Sequence, residues 1–117
     1  MQPERAVAAG DEIITQGEPA MEAYLVMAGR FDVTLTRDGK TAHLATLGEG
    51  EIFGETAFFK GSDYGATVTA TTDGVLQPIT PDILDARIAQ CDPLIKAVIR
   101  MLMIRLRKSN ERFAASL

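Results

Sequence analysis

The stretch IFGETAFFKGSDYGATVTATTDG, residues 52–74, decides how the rest of the chain is interpreted. It begins with an apolar pair followed by Gly-Glu, passes through a Gly-Ser turn, and continues as an alternating Thr/Val/Ala strand. Glycine and other small residues allow a backbone to come close to a bound group. The pattern predicts a loop that presents backbone N–H groups to a ligand, although Lys60 is its only basic residue and Tyr64 occupies its centre.

Short strands separated by turn signals are predicted from residue 5 to residue 80. The clearest hairpin signal is Asp38-Gly39, because a type I′ turn needs positive φ at both central residues. In the run RFDVTLTR before this turn, apolar and polar residues alternate, as in a half-buried antiparallel strand. Many short strands at regular spacing predict a closed β-barrel or jelly roll, in which few strand edges are exposed.

Two helices are predicted after these strands. The residues TPD at 80–82 provide an N-cap, a proline at the first helical position and an acidic residue in the first turn. This helix is expected to end near residue 90. The pair DP at 92–93 repeats the signal, and a longer helix is expected to end near residue 113. Since no linker, repeat or low-complexity tract separates helices from strands, we expect all of them to form one domain.

The last helix carries an apolar face wider than the roughly 100° stripe that packs on one surface. The two apolar stripes are Ile95, Ile99, Leu102, Leu106 and Phe113, and Leu94, Val98 and Met101. Two interpretations stay open: a core helix with a broad buried face, or a helix that also pairs with the same helix of a second copy in a symmetric dimer. The four basic residues between 105 and 112 are expected to interact with the helix C-terminal dipole and to aid solubility.

Composition limits the possible classes of protein. A chain of 117 residues with 46% apolar and 24% charged residues suits one soluble globular domain. The net charge of −4 argues against a general nucleic-acid binder. No run reaches the roughly 20 apolar residues that a membrane span needs. Cys91 is the single cysteine, which fits a reducing compartment, so a cytoplasmic location is expected.

Neither catalysis nor metal binding is predicted. A metal-dependent jelly roll needs clustered imidazoles and carboxylates, and the chain has one histidine, His43, at an ordinary strand position. His43 would also have to serve any nucleophile–base pair, and no motif accompanies it. The chain has no P-loop pattern, and one cysteine cannot hold an iron–sulfur cluster. A binding or regulatory module without metal or cofactor is therefore expected, rather than an enzyme.

Three segments together resemble the cyclic nucleotide-binding domain family. They are GDEIITQGEPAMEAYLVMAGRFDV (10–33), DGKTAHLATLGEGEIFGETAFF (38–59) and ATVTATTDG (66–74). The family comprises regulatory modules of bacterial catabolite-type transcription regulators, cyclic-nucleotide-dependent kinases and gated channels. The resemblance implies a mainly β fold, an eight-stranded β-roll (double-stranded β-helix or jelly roll) followed by two α-helices. It also implies a single domain over residues 1–117, with the β-roll at about 5–80 and the helical part at about 81–113.

The resemblance also implies a ligand site. The family's phosphate-binding cassette resembles Phe-Gly-Glu-x-Ala-Leu, a short loop, and Arg-x-Ala-Ser/Thr-Val; here the two halves are FGETAF (53–58) and YGATV (64–68). Glu55 is expected to accept a hydrogen bond from a ribose 2′-hydroxyl, and N–H groups at the start of a helical turn favour an anion. The implied ligand-binding residues are Gly54, Glu55, Thr56, Ala57, Tyr64, Gly65, Ala66 and Thr67.

Tyr64 is a departure from this pattern, because it stands where the family has its arginine. A hydrogen bond to a charged group contributes roughly 1.5–3 kcal/mol, whereas a tyrosine hydroxyl offers one neutral donor. Lys60 and Arg30 are the cations that would have to replace the charge, and Glu55 and Asp63 add negative charge. Gly65, the next residue, does not distinguish an adenine from a guanine nucleotide.

Two functions stay open. The first is a sensor of cAMP or cGMP, in which binding rearranges the last helix and signals to an output partner protein that the sequence does not identify. The second is a degenerate module that keeps the fold but acts as a dimerisation or protein-interaction domain, or binds another small ligand. A homodimer through the C-terminal helix is expected. DNA binding is not expected, since the chain stops at Leu117 without the helix-turn-helix of the bacterial regulators, and nucleic acid in general is disfavoured by the net charge of −4. A membrane is not an expected partner either, because no apolar run is long enough to span one.

Overall fold

The computed structural model describes residues 3–55 and 61–116, with side chains described up to residue 105. The strands are β1 (Arg5–Val7), β2 (Glu12–Ile14), β3 (Ala23–Ala28), β4 (Phe31–Arg37), β5 (Lys40–Leu47), β6 (Ile52–Phe53), β7 (Thr67–Ala70) and β8 (Gly74–Ile79). The helices are α1 (Pro81–Ala89) and α2 (Pro93–Ser116). The chain divides into two compact units, Met1–Thr80 and Pro81–Leu117, and each is described by itself.

The strands form two four-stranded sheets, and every pairing between named strands is antiparallel. The orders are β1-β8-β3-β6 and β2-β7-β4-β5. Apart from the β4–β5 hairpin, consecutive strands alternate between the sheets; β6 belongs to the first, β7 to the second and β8 to the first again. This topology confirms the predicted eight-stranded β-roll followed by two helices. It also brings Gly54 and Glu55, which follow β6, close to residues 64–66, which precede β7, so the described parts of the two predicted cassette halves lie around one cavity.

The predicted hairpin at Asp38-Gly39 is confirmed. Both residues have positive φ, 55° at Asp38 and 76° at Gly39, as the type I′ turn requires. The flanking residues Arg37 and Lys40 pair across the turn, and the ladder of β4 with β5 continues to Phe31 and Leu47. The two-residue signal therefore predicted the turn correctly, and the hairpin that it closes forms part of the second sheet.

A compact apolar core holds the β-roll together. Phe31 and Leu76 are completely buried, and Val26 is 1% exposed. The Phe53 ring stacks on Tyr24 with centroids 5.3 Å apart and lies 5.6 Å from the Phe31 ring. Burying such a side chain stabilises the fold by roughly 1.5–3 kcal/mol. Phe53 ends β6, so this packing fixes the backbone immediately before the predicted cassette.

The two helices begin and end close to the predicted residues. At the start of α2, Asp92 Oδ1 accepts hydrogen bonds from the N–H groups of Leu94 (2.9 Å) and Ile95 (3.1 Å), the arrangement of an N-cap. Pro93 follows as the first helical residue, where its missing N–H costs nothing. Within the described part of the chain, neither helix is long and apolar enough to cross a membrane.

The predicted wide apolar face of α2 lies largely in solvent in the single chain. The exposed apolar side chains of this helix are Leu94, Ile95, Val98, Met101, Leu102 and Ile104, whereas Ile99 is half-buried. Leu94 has the largest exposed fraction, 74%. Two of the predicted stripe residues, Leu106 and Phe113, and three of the four basic residues lie beyond the described side chains. Pairing with a second copy stays a prediction.

Candidate ligand site

A cavity of about 430 Å³ opens in the β-roll between the two halves of the predicted cassette. Its size lies within the range of small-molecule sites. The lining residues are Ile14, Val33, Leu47, Ile52, Phe53, Gly54, Glu55, Ser62, Asp63, Tyr64, Gly65, Ala66 and Val68. Most of these side chains are apolar, and the polar ones come from the ends of the two cassette halves.

The cavity brings five of the eight predicted site residues together. Gly54 and Glu55 line one side, and Tyr64, Gly65 and Ala66 line the other. Thr56 and Ala57 lie outside the described residues. Thr67 is not among the described lining residues, and its hydroxyl instead accepts a hydrogen bond of 3.0 Å from the Gln16 N–H. Thr67 therefore ties β7 to the segment after β2, and a ligand contact for it stays a prediction.

Gly54 is required by the fold for two reasons. Its φ is +81°, a conformation that side-chain-bearing residues rarely adopt. A Cβ at this position would also lie 2.9 Å from Ile14 Cδ1 and 3.4 Å from Tyr64 Cε1. The absence of a side chain therefore lets β6 end against the cavity wall. The close approach of a ligand to this backbone stays a prediction.

The N–H, the carbonyl and the hydroxyl of Tyr64 each form a hydrogen bond with the segment that connects β2 to β3. Its N–H donates to the Glu18 carbonyl (2.9 Å), and its carbonyl accepts from the Gly17 N–H (2.9 Å). Its hydroxyl donates to the main-chain carbonyl of Glu22. Asp63, the preceding residue, forms an isolated antiparallel bridge with Pro19. Tyr64 thus holds the second half of the predicted cassette against residues 17–22, and its correspondence to the arginine of the family stays a prediction.

Burial and neighbouring charge act on the two tyrosines of this region in the same direction. Burial raises the pKa of the Tyr64 hydroxyl, because the charged phenolate would lose solvation, and the Glu22 carboxylate adds to this effect. Burial likewise raises the pKa of Tyr24, whose hydroxyl donates to Glu22 Oε1 at 2.6 Å. Both hydroxyls are therefore neutral at physiological pH, and each is already engaged with Glu22.

In the second half of the predicted cassette, the main-chain N–H groups of the two residues after Tyr64 differ from the Tyr64 N–H in having no partner among the described residues. The N–H groups of Gly65 and Ala66 form no hydrogen bond with another residue in the described ranges. Both residues line the cavity. Ala66 is half-buried and Gly65 is exposed, so a ligand acceptor would satisfy a partly shielded N–H at Ala66 and would replace water at Gly65. This part of the site can therefore donate hydrogen bonds from the backbone.

Of the two cations that the sequence offered as replacements for the arginine, Arg30 is not among the residues that line this cavity. Arg30 lines a separate cavity of about 510 Å³. It shares that cavity with Gly29, Thr46, Leu47, Gly48, Glu49 and Thr72. Lys60 lies outside the described residues. Among the lining residues that are described, the charged side chains are the carboxylates Glu55 and Asp63.

The single histidine lies away from this cavity, on the β4–β5 hairpin. His43 Nε2 is 3.3 Å from Asp32 Oδ1 and 3.1 Å from Thr46 Oγ1. A register shift between Val33 and Thr34 brings it to this position. Across residues 3–55 and 61–105, no three His, Cys, Asp or Glu side chains are grouped to hold a metal ion.

The sequence did not indicate the residues that hold Tyr64. Glu18 and Glu22 lie 46 and 42 positions before Tyr64 and carry no motif of their own. The apolar wall of the cavity was also missed, apart from the alternation that directs Val33 inward. The available signal for residues 17–22 was the Gly-Glu-Pro turn, which predicts a chain reversal but names no partner.

Comparison with known proteins identifies the family. The sequence profile described as "Cyclic nucleotide-binding domain" matches residues 4–91. A CRP-like cAMP-activated global transcriptional regulator of Mycobacterium tuberculosis is 26% identical over 106 residues, which cover 90% of this chain and 47% of the regulator. A cAMP-dependent protein kinase regulatory subunit of Yarrowia lipolytica is 40% identical over 68 residues, which cover 58% of this chain and 18% of the subunit. The chain thus spans about half the length of the regulator and less than a fifth of the kinase subunit.

Solved structures give the same result. The halfsite-occupied form of the EAL enzyme Bd1971 has a TM-score of 0.86 and 31% identity, and the match covers 92% of this chain and 97% of that one. The cAMP-bound form of Bd1971 has a TM-score of 0.68 over 97% of this chain and 30% of that one. A cGMP-bound form matches with a TM-score of 0.70 over 94% of this chain and 30% of that one. The chain therefore belongs to the cyclic nucleotide-binding domain family.

Proposed function

We propose that this chain is a regulatory module that binds cAMP or cGMP in the cavity of the β-roll. The observation that carries the proposal is the cavity of about 430 Å³, which has Gly54 and Glu55 on one side and Tyr64, Gly65 and Ala66 on the other. The likeness to a cAMP-activated regulator and to cAMP-bound and cGMP-bound structures supports it. A regulatory rather than catalytic role, in the cytoplasm and in one domain of residues 1–117, belongs to the same proposal.

Each part of the cavity has a role in this proposal. Glu55 accepts a hydrogen bond from a ribose hydroxyl, and the N–H groups of Gly65 and Ala66 donate to phosphate oxygens. Thr56 and Ala57, which lie outside the described residues, add N–H donors in this proposal, while the Tyr64 ring contacts the ligand. The apolar wall buries the base, because such surface is stabilised when it is removed from water.

The signal passes through α2 in this proposal. Its exposed apolar side chains change their partners when the cavity is filled, and so alter the contact with an output partner protein. The apolar residues Leu94, Val98, Met101 and Leu102 lie at i, i+4, i+7 and i+8, on one face of the helix, and all four are exposed in the single chain. A homodimer through this face is the simplest form of such a contact.

A thermal-shift series with cAMP and cGMP tests the binding proposal. A ligand at 100 times its dissociation constant stabilises a protein by about 2.7 kcal/mol. For a domain of this size the midpoint of unfolding then rises on the order of ten degrees. If neither nucleotide raises the unfolding midpoint at millimolar concentration, the proposal is contradicted.

The carboxylate variants Glu55→Ala and Glu49→Ala locate the effect. Glu55 lines the proposed site, whereas Glu49 lines the separate cavity beside Arg30. Both variants remove one negative charge, so they alter long-range electrostatics alike. We expect Glu55→Ala to reduce the ligand-induced shift and Glu49→Ala to leave it unchanged. Equal shifts in both variants would remove Glu55 from the proposed site.

A second candidate function is a degenerate module that acts through dimerisation or protein interaction, or that binds another small ligand. The exposed apolar face of α2 and the commitment of the Tyr64 hydroxyl to Glu22 favour it. Mass measurement in solution tests the dimer. Leu102→Glu should give a monomer, while Arg100→Gln, which changes the net charge by the same amount on another face of α2, should not. A monomeric wild-type chain at tens of micromolar excludes the dimer.

A further inference from the structure

Tyr64 has no free donor to offer a ligand. Its hydroxyl donates to the Glu22 carbonyl, and its N–H donates to the Glu18 carbonyl. A ligand phosphate would have to break one of these bonds to take a donor from Tyr64. The aromatic ring, whose Cε1 would lie 3.4 Å from a Cβ on Gly54, is instead part of the cavity wall.

The described wall of the cavity also carries charge of the wrong sign for an anion. Glu55 and Asp63 line it as carboxylates, and Arg30 lines the other cavity. Like charges disfavour each other most strongly where water is partly excluded. The donors that remain among the described lining residues are neutral, namely the N–H groups of Gly65 and Ala66, since the Ser62 hydroxyl donates to the Asp63 carbonyl (3.5 Å). Such donors can also serve a hydroxyl or carbonyl oxygen of a nucleoside, and they bring no positive charge to a phosphate.

Resting on the proposed function, we infer that this cavity recognises a nucleotide through its ribose and base rather than through the phosphate charge. It therefore accepts an uncharged ribonucleoside as tightly as the corresponding cyclic nucleotide. Tyr64 determines this specificity, because it places a neutral side chain at the predicted arginine position. Hydrogen bonds to residues 17–22 hold it there. Glu55 can bind a nucleoside directly, because its carboxylate accepts hydrogen bonds from ribose hydroxyls.

Calorimetric titration of the full chain with two ligand pairs tests the inference. The pairs are adenosine with cAMP and guanosine with cGMP. In the pair that binds, we expect the two dissociation constants to agree within about threefold, since a charge-assisted hydrogen bond worth tenfold or more is missing. Affinity should also change little between low and high salt. A cyclic nucleotide that binds about tenfold or more tightly than its nucleoside overturns the inference and leaves the proposed function intact.

Three variants identify the residue responsible. Tyr64→Arg should favour the cyclic nucleotide over the nucleoside by about tenfold, because it adds a charge-assisted donor. Tyr64→Phe keeps the ring, loses the hydroxyl and should keep the wild-type ratio of affinities. Lys60→Ala should also keep that ratio. A Tyr64→Arg ratio equal to that of the wild type, or a ratio that changes in Lys60→Ala, would show that Tyr64 does not set the specificity.

The failure of the proposed function has a different signature. If none of the four ligands binds the wild-type chain, the binding proposal is wrong and the inference is wrong with it. If a nucleoside binds and its cyclic nucleotide does not, recognition of the nucleoside is confirmed while sensing of cAMP or cGMP is contradicted. The titration therefore separates a failure of the inference alone from a failure of the proposed function.

Discussion

The two sides of the cavity are held in place by different kinds of interaction. On the side of Gly54, apolar packing dominates, since the Phe53 ring is buried against Tyr24 and Phe31. On the side of Tyr64, hydrogen bonds to residues 17–22 dominate. Favourable packing is lost when the volume of a buried side chain changes, whereas a hydrogen bond is lost when one of its two polar atoms is removed. The predicted departure from the family's arginine lies on the second side, at Tyr64.

The largest expected effect comes from the packed side. Phe53→Ala should lower the free energy of unfolding by about 3–5 kcal/mol, because it leaves a cavity between Tyr24 and Phe31. Chemical denaturation measures the loss. Ile52→Ala, one residue earlier, is the control, since Ile52 is 47% exposed and should cost less than about 1.5 kcal/mol. Similar losses in both variants would contradict the packing interpretation.

A smaller effect is expected at the turn beside it. Gly54→Ala should cost about 2–4 kcal/mol, because it combines positive φ with a Cβ 2.9 Å from Ile14 Cδ1. Gly50→Ala is the matched control, with φ of +86° and nothing within 4 Å of the added Cβ. It should cost about 1–2 kcal/mol from the backbone alone. If the two losses are equal, contact with Ile14 contributes nothing.

On the hydrogen-bonded side the expected loss is smaller again. Tyr64→Phe should lower the free energy of unfolding by about 1–1.5 kcal/mol, because it removes the donor to the half-buried Glu22 carbonyl. Hydrogen exchange should show faster exchange of the Tyr64 and Gly17 N–H groups, whose partners lie across the same contact. Unchanged exchange at both positions would mean that the hydroxyl does not hold the segment.

The smallest effect is a dependence on alkaline pH. The pKa values of Tyr24 and Tyr64 are raised by burial, so above pH 10 the unfolded chain loses these protons before the folded chain does. Their contribution to stability is therefore complete below pH 10 and is lost as pH rises towards the folded pKa values. Denaturation midpoints above pH 10 should fall less steeply in Tyr64→Phe than in the wild type. Equal slopes would show that Tyr64 does not contribute.

Local signals predicted much of this fold because their physics is local. Asp38-Gly39 predicts a hairpin because both residues tolerate positive φ, and that is how they occur. Asp92 predicts a helix start because its carboxylate reaches N–H groups two and three residues later, which it does. The side chain of an N-cap and the φ of a turn residue depend on near neighbours in the chain. The bounds of α1 and α2 were predictable for this reason.

The candidate site was predicted in part. The resemblance in residues 53–58 and 64–68 indicated the two cassette halves, and the structure places five of the implied residues around one cavity. The resemblance did not indicate that the Thr67 hydroxyl would accept a hydrogen bond from the Gln16 N–H, or that Arg30 would line a different cavity. Both outcomes depend on which strands pair, and β7 pairs with β2 and β4 rather than with its neighbours in sequence.

Motifs and local signals in the sequence were enough to indicate the family and the order of strands and helices. What the Tyr64 side chain contacts follows from the folded chain. The Tyr64 hydroxyl meets a carbonyl 42 residues earlier, because strand pairing across two sheets brings residues 17–22 beside the second half of the cassette. A sequence specifies that a tyrosine has one neutral donor. Where that donor is used depends on contacts between distant segments, and those exist only in the folded chain.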